Sequence, residues 1–252
     1  MIEEPYRWVE AIATRRDYVE TQLSSGSPII ALTFADGILL FTVGQQKLFE
    51  IYDRIALGAI GHPGDIERLR MAAIELASTE GFARSAADVS LRRLAYYSLS
   101  PVMKNAFEQI YGAPFLARLL FAEIGATPAE DLFLRVEYDG AISQKKSGNK
   151  RFAVLAPTKK SAEQMEQFLE REDHGDEDMT AALELAFDAW AAGQKQAEEG
   201  AVLPGREEIR ACRRERLGDG IMEAVVLERR ARSPVQYRTV EQKQLAALSE
   251  QV

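Results

Sequence analysis

Apolar residues fall into short blocks near the start of the chain and then switch to a helical spacing. Residues 28–33 and 37–43 are apolar runs joined across Ala35-Asp36-Gly37. Asp-Gly between two such runs signals a hairpin, because glycine tolerates the positive φ these turns require. Residues 48–60 form a third run, continuous enough to predict a strand in a sheet covered on both faces. The three are expected to lie in a row in one core sheet. Ahead of them, Trp8, Val9, Ile12, Tyr18, Val19 and Leu23 recur at helical intervals behind Pro5, predicting an amphipathic N-terminal helix over 6–23.

The spacing then lengthens to that of two long helices. His62-Pro63-Gly64-Asp65 opens the first, with Ile66, Leu69, Ala73, Ile74 and Ala77 on one face and Gly81 expected to end it. Ser85 and Asp88 have the spacing of a capping box for the second, which carries Val89, Leu91, Leu94, Ala95, Tyr97, Met103 and Phe107. Pro101 should kink it. Further strands are predicted over 115–124, 132–138, 141–144, 152–155, 221–228 and 237–240, and helices over 160–172, 178–190, 207–217 and 241–249. The order of elements predicts an α/β (α+β) architecture in which helices, sheet, sheet and helices form successive layers.

Composition narrows the function classes. A chain of 252 residues with 46% hydrophobic content can bury a substantial core, and one domain spanning 1–252 is expected. Within it stand a helix over 6–25, a charged insertion over 193–220, and a C-terminal helix and tail over 241–252. A formal charge of -8 opposes nucleic-acid binding through bulk electrostatics. The basic loop 144–151 and the RACRRER run, interleaved with Glu207, Glu208 and Glu215, read as solvated faces. A lone cysteine, Cys212, excludes an internal disulfide and suits a reducing compartment. No signal peptide or membrane span is visible, so a cytoplasmic protein is expected. His62 and His174 lack zinc spacing, EDHGDED lacks the ligand order of a calcium loop, and no phosphate-binding glycine loop occurs. Neither metal nor cofactor is expected.

Certain blocks are more specific. SPIIALTFADGILLFTVGQQKLFEIYDRIALGAIG, over 27–61, resembles the opening of a proteasome subunit, and KLFEIYDRIAL within it resembles bacterial, actinobacterial-type alpha subunits. DLFLRVEYDGAI, RFAVLA and IMEAVVLE, beginning at 131, 151 and 221, resemble later strands of the same subunits. The resemblance spans roughly Tyr6 to Leu248. It implies a four-layer αββα sandwich of the N-terminal-nucleophile hydrolase type. It also implies an N-terminal helix on the outer face of a ring, where beta subunits instead carry a removable propeptide.

The same resemblance implies a function. Seven-membered alpha rings cap rings of catalytic beta subunits, so the partners would be a beta subunit, further copies of this chain, and a ring-shaped ATPase or other activator. Met1, Ile2, Glu3, Glu4 and Pro5 would form the gate, and Lys47 and Gly26 the activator-binding pocket. An alternative keeps the fold but makes it a self-processing peptidase or amidase. Ser27, preceded by Gly26, stands where a beta subunit has its nucleophile, whose freed α-amine acts as base. Departures count against this: Pro28 follows, Val43 stands where an acid is expected, Gln45 replaces an arginine, and Leu155-Ala156-Pro157 replaces a Ser-Gly-rich turn. A serine at a strand start is the plainer reading, and no catalytic residue is assigned. For Lys47 the plainer reading is a solvated lysine at a strand edge.

Overall fold

The computed structural model describes residues 5–44, 46–109, 111–144, 151–173, 178–194, 205–218 and 220–250. The helix α1 (Pro5–Leu23) leads into a hairpin of β1 (Ile29–Phe34) and β2 (Gly37–Val43), and a second hairpin follows, β3 (Leu48–Tyr52) and β4 (Ile55–Gly61). The run 48–60 is thus two strands rather than one, because Asp53 and Arg54 form a turn. The two hairpins also lie in different sheets rather than in a row. Next come α2 (Pro63–Ala83), α3 (Leu91–Arg93), α4 (Ser100–Glu108), β5 (Ala117–Glu123), β6 (Leu132–Val136), β7 (Ile142–Gln144) and β8 (Phe152–Leu155). The helices α5 (Lys159–Glu172), α6 (Met179–Gln194) and α7 (Arg206–Leu217), strands β9 (Met222–Glu228) and β10 (Tyr237–Thr239), and α8 (Gln242–Glu250) complete the chain.

One five-stranded sheet has the order β10-β9-β2-β1-β8 and the other β3-β4-β5-β6-β7, and every pairing is antiparallel. Strand alternation sorts the core into three slabs. Ile29, Ala31, Ile38, Leu40, Val225 and Leu227 of the first sheet meet Ala56, Ile60, Leu120 and Ala122 of the second. The alternate residues Ile30, Leu32, Phe34, Leu39 and Phe41 face outward onto α5 and α6. On the far side Leu57, Ala59, Leu119 and Phe121 meet α2 and the helix of Leu94 and Met103. The result is the four-layer αββα sandwich, with α1 added at one end.

Several local expectations need correction. Gly81 does not end α2, which continues to Ala83. A Cβ at Gly81 would lie 2.1 Å from the Tyr52 hydroxyl, so the glycine admits a tyrosine from the neighbouring sheet. Ser85 caps only a single 3₁₀ turn, Ala86–Asp88, rather than the second long helix. Pro101, expected to kink this helix, stands in the first turn of α4, and a π-helical segment, Leu94–Leu99, lies just before it between α3 and α4. RACRRER is not wholly solvated: Arg213 is buried over the Phe187 ring and pairs with Asp188 at 2.6 Å, which docks α7 on α6.

The sheets are pinned at the end opposite α1. Asp131, just before β6, accepts two hydrogen bonds of 2.8 Å from Arg229, just after β9. Its carboxylate also accepts from Thr33 Oγ1 of β1 at 2.9 Å and from Gly125 N at 3.0 Å. Asp131 is 1% exposed and Arg229 10%, so removing one partner strands a buried charge. Asp131→Ala should therefore cost about 3–5 kcal/mol of folding free energy in urea denaturation. A loss within ~1 kcal/mol, the scale of an exposed ion pair, would show that the pin is dispensable.

Candidate functional site

At the other end of the sandwich the chain enters β1, leaves β2, enters β3 and leaves β4, so residues from four strand termini and α1 converge there. Gly26 sits directly against sheet two: a Cβ on it would come within 2.2 Å of Ile60 Cγ2. Ser27 follows, half-buried, and its Oγ accepts a 2.9 Å hydrogen bond from the Trp190 indole of α6. Pro28 is buried, and its carbonyl accepts from Thr42 Oγ1 at 2.7 Å. Val43 is 6% exposed and packs in the outer apolar slab, offering no charge to a nucleophile. Gln45 lies outside the described residues, as do Met1, Ile2, Glu3 and Glu4. Pro5 opens α1.

Lys47 precedes β3, an edge strand, with its side chain half-buried. Its backbone carbonyl accepts from Ala59 N at 3.0 Å, tying it to the strand that also supports Gly26 through Ile60. Among the described residues its ammonium makes no hydrogen bond or ion pair. Burial lowers its pKa below the ordinary lysine value, opposed by the negative charge of Glu223. A half-buried cation whose ammonium makes no direct bond among the described residues, with the Glu223 charge nearby, is suited to receive an anion from outside.

The helix α1 is fixed through its second half. Val19 and Leu23 are buried with Phe107 and Tyr138. Trp8, Val9 and Tyr18, grouped by spacing with that apolar face, are instead 42%, 66% and 52% exposed. Beside them runs an open groove of about 800 Å³ lined by Glu10, Ala11, Thr14, Tyr18, Ala113 and Pro114. Arg15 reaches off α1 to donate to the carbonyls of Phe107, Gln109 and Gly112 at 2.8, 2.6 and 3.0 Å, closing the C-terminal end of α4.

The central fixture is Arg118, a charge in the middle strand of sheet two with only 7% of its side chain exposed. Its Nη2 donates to both oxygens of Glu20 on α1 at 2.6 Å, and its Nε donates to Glu137 at 2.7 Å. Nη1 donates to the carbonyls of Ala156 and Pro157, the segment that stands in place of a Ser-Gly-rich turn. The Tyr138 hydroxyl adds a 2.8 Å bond to Glu20. Burial raises the pKa of Glu20, but the bonds from Arg118 and Tyr138 outweigh it and hold the carboxyl below its ordinary value of 4.5.

The chain is 30% identical over 198 residues to the proteasome subunit alpha of Parafrankia sp. (strain EAN1pec), covering 73% of this chain and 74% of that one. The chain belongs to the bacterial proteasome alpha-subunit family. The alpha subunit of Kineococcus radiotolerans is likewise 30% identical over 204 residues, covering 77% of this chain and 78% of that one. That of Pseudarthrobacter chlorophenolicus is 29% identical over 230 residues, covering 84% and 93%. No family model matches the chain.

For an alpha-family chain, the residues that sequence reasoning missed are informative. Arg118 in ARLLFAE and Glu223 in MEAVVLE are charges inside apolar strands, which was a readable signal that each has a buried partner. Among the described residues no group of three or more His, Cys, Asp or Glu converges as a metal site, and no helix is long and apolar enough to cross a membrane. His174 lies outside the described residues.

The Glu20 contact gives a pH prediction. Because the folded pKa lies below the ordinary one, the contribution is fully present above the ordinary value and fades as pH falls through the folded value. Glu20 is about a third exposed, so Glu20→Gln should cost no more than about 1 kcal/mol at neutral pH. Denaturation curves of the two proteins should converge in acid, and a gap that widens on acidification would contradict the assignment.

Proposed function

We propose that the chain is the non-catalytic alpha-type subunit of a bacterial 20S proteasome. Copies of it form the heptameric outer ring, which stacks on a ring of catalytic beta subunits in the cytoplasm and controls what reaches them. Met1, Ile2, Glu3, Glu4 and Pro5 form the gate ahead of α1. Lys47 and Gly26 line the pocket where the tail of a ring-shaped ATPase or other activator docks. One domain carries all of this, and no metal or cofactor takes part.

The observation that carries the reading is the setting of Ser27. A catalytic Ser27 would need a free α-amine, and hence loss of everything through Gly26. That segment contains α1, whose Glu20 is bonded to the buried Arg118 and whose Arg15 closes α4. The Ser27 hydroxyl is already engaged by Trp190, and neither Val43 nor Ala156 can assist it. The half-buried Lys47 ammonium supports the docking role, since it makes no direct bond among the described residues and is open to a terminal carboxylate.

The chain alone should hydrolyse no fluorogenic peptide, and activity should appear on assembly with a beta subunit and persist in Ser27→Ala. Turnover by the isolated chain that Ser27→Ala abolishes would overturn the reading. In the assembled particle, Lys47→Ala should weaken binding of an activator's C-terminal peptide roughly tenfold to hundredfold, the equivalent of ~1.5–3 kcal/mol for a charge-assisted hydrogen bond. Unaltered affinity would remove Lys47 from the pocket.

A further inference from the structure

Glu223 stands where the alternation of β9 calls for an apolar residue. Val225 and Leu227, two and four positions on, face the slab between the sheets, while Met222, Ala224 and Val226 face the helices. The carboxylate therefore enters the inter-sheet space at its Lys47 end. It crosses to the opposite sheet: one oxygen accepts from Lys47 N at 2.9 Å and the other from Leu48 N at 3.2 Å.

The backbone approaching Lys47 is held in an uncommon course. Gly44 has φ +137°, its N–H donates to Ile221 O at 2.8 Å, and a Cβ on it would lie 2.9 Å from Lys47 Cε. Gln46 has φ 52°, a left-handed conformation that is costly for a residue with a side chain. The lysine stem therefore folds back over a glycine, on a link that must be fastened where it joins β3. Glu223 is that fastening.

We propose that Glu223 is the positioning residue for Lys47, fixing through its two backbone bonds where the ammonium points and setting a negative charge beside it that holds it toward a carboxylate-ended partner. This rests on the docking role given to Lys47 above, and Glu223 itself need not touch the partner. The charge effect has a physical basis, because burial favours the neutral amine and Glu223 is the opposing charge. Tyr237 of β10 feels the charges of both Glu223 and Glu50 of β3. Tyr237 donates to Leu48 O at 3.4 Å, closing the same corner. Burial raises the Glu223 pKa, while the bonds from Lys47 and Leu48 favour its ionised form.

The test uses the full chain with ¹³C-labelled lysine, the Lys47 signal being assigned by its loss in Lys47→Arg. Glu223→Gln should lower the Lys47 pKa, whereas Glu223→Asp should keep it near the wild-type value and speed hydrogen exchange at the Lys47 and Leu48 amides. An unchanged Lys47 pKa in Glu223→Gln overturns the proposal, since a merely structural role would alter stability without moving that titration. If Glu223→Gln fails to fold, Glu223→Asp decides, and amide exchange as slow as wild type overturns the backbone role. In the assembled particle, Glu223→Gln should weaken an activator's C-terminal peptide by about threefold to tenfold, with the loss growing as pH rises. Full affinity there, beside a clear loss in Lys47→Ala, overturns the proposal while leaving the docking role intact. No loss in Lys47→Ala overturns the docking role instead, and a lowered Lys47 pKa in Glu223→Gln would then support only the charge effect.

Discussion

A guanidinium in the middle strand of a sheet has no water to lean on, and its desolvation must be met by fixed oxygen atoms. Arg118 meets that constraint with two carboxylates and two backbone carbonyls drawn from three separate parts of the chain. Glu20 brings α1, Glu137 brings the turn after β6, and Ala156 and Pro157 bring the exit from β8. Arg118 thereby ties the N-terminal helix to the sheet, beside the apolar contacts of Val19 and Leu23. It also decides what the β8 exit is used for, because carbonyls pledged to Arg118 are held in a fixed place beside the entry to β1. The pair of Asp131 and Arg229 serves the opposite end, so the sandwich is pinned at both ends by ionic contacts around a core that is otherwise almost wholly apolar.

Much of the architecture could be read from the chain because pattern and environment agreed. The β1–β2 hairpin and β8 lie where Asp36-Gly37 and the run at 152 put them, since both faces of these strands are buried. The run from 48 to 60 misled because its turn residues, Asp53 and Arg54, carry no glycine, and the second of them pairs with Glu123 rather than marking a loop. Gly81 misled for another reason: its small size serves Tyr52, a long-range contact that no local pattern encodes. The docking of α1 was half legible, in that Val19 and Leu23 are core, whereas Trp8 and Val9 are apolar without being buried in this chain.

The end of the sandwich at β1 is one frame that can serve two purposes. A chain that begins at the strand would present a terminal amine and hydroxyl there, and a chain that keeps a helix ahead of it presents a covered serine and a lysine at the rim. In this chain Val43 is apolar, Trp190 donates to the Ser27 hydroxyl and Glu20 ties α1 to Arg118. Lys47 and Glu223 show the same division of labour at smaller scale. The half-buried cation could be named from resemblance, whereas the backbone bonds that join it to the Glu223 carboxylate were visible only once the strands were paired.

Retention of the segment ahead of Ser27 separates a covered serine from a free terminal nucleophile. Intact mass spectrometry of this chain, recovered from a particle assembled with a beta subunit and active on peptides, measures that directly. The account predicts a chain that retains Glu20 and the rest of α1. A species that begins at Ser27 would contradict it, because the helix would have been discarded and the serine amine set free.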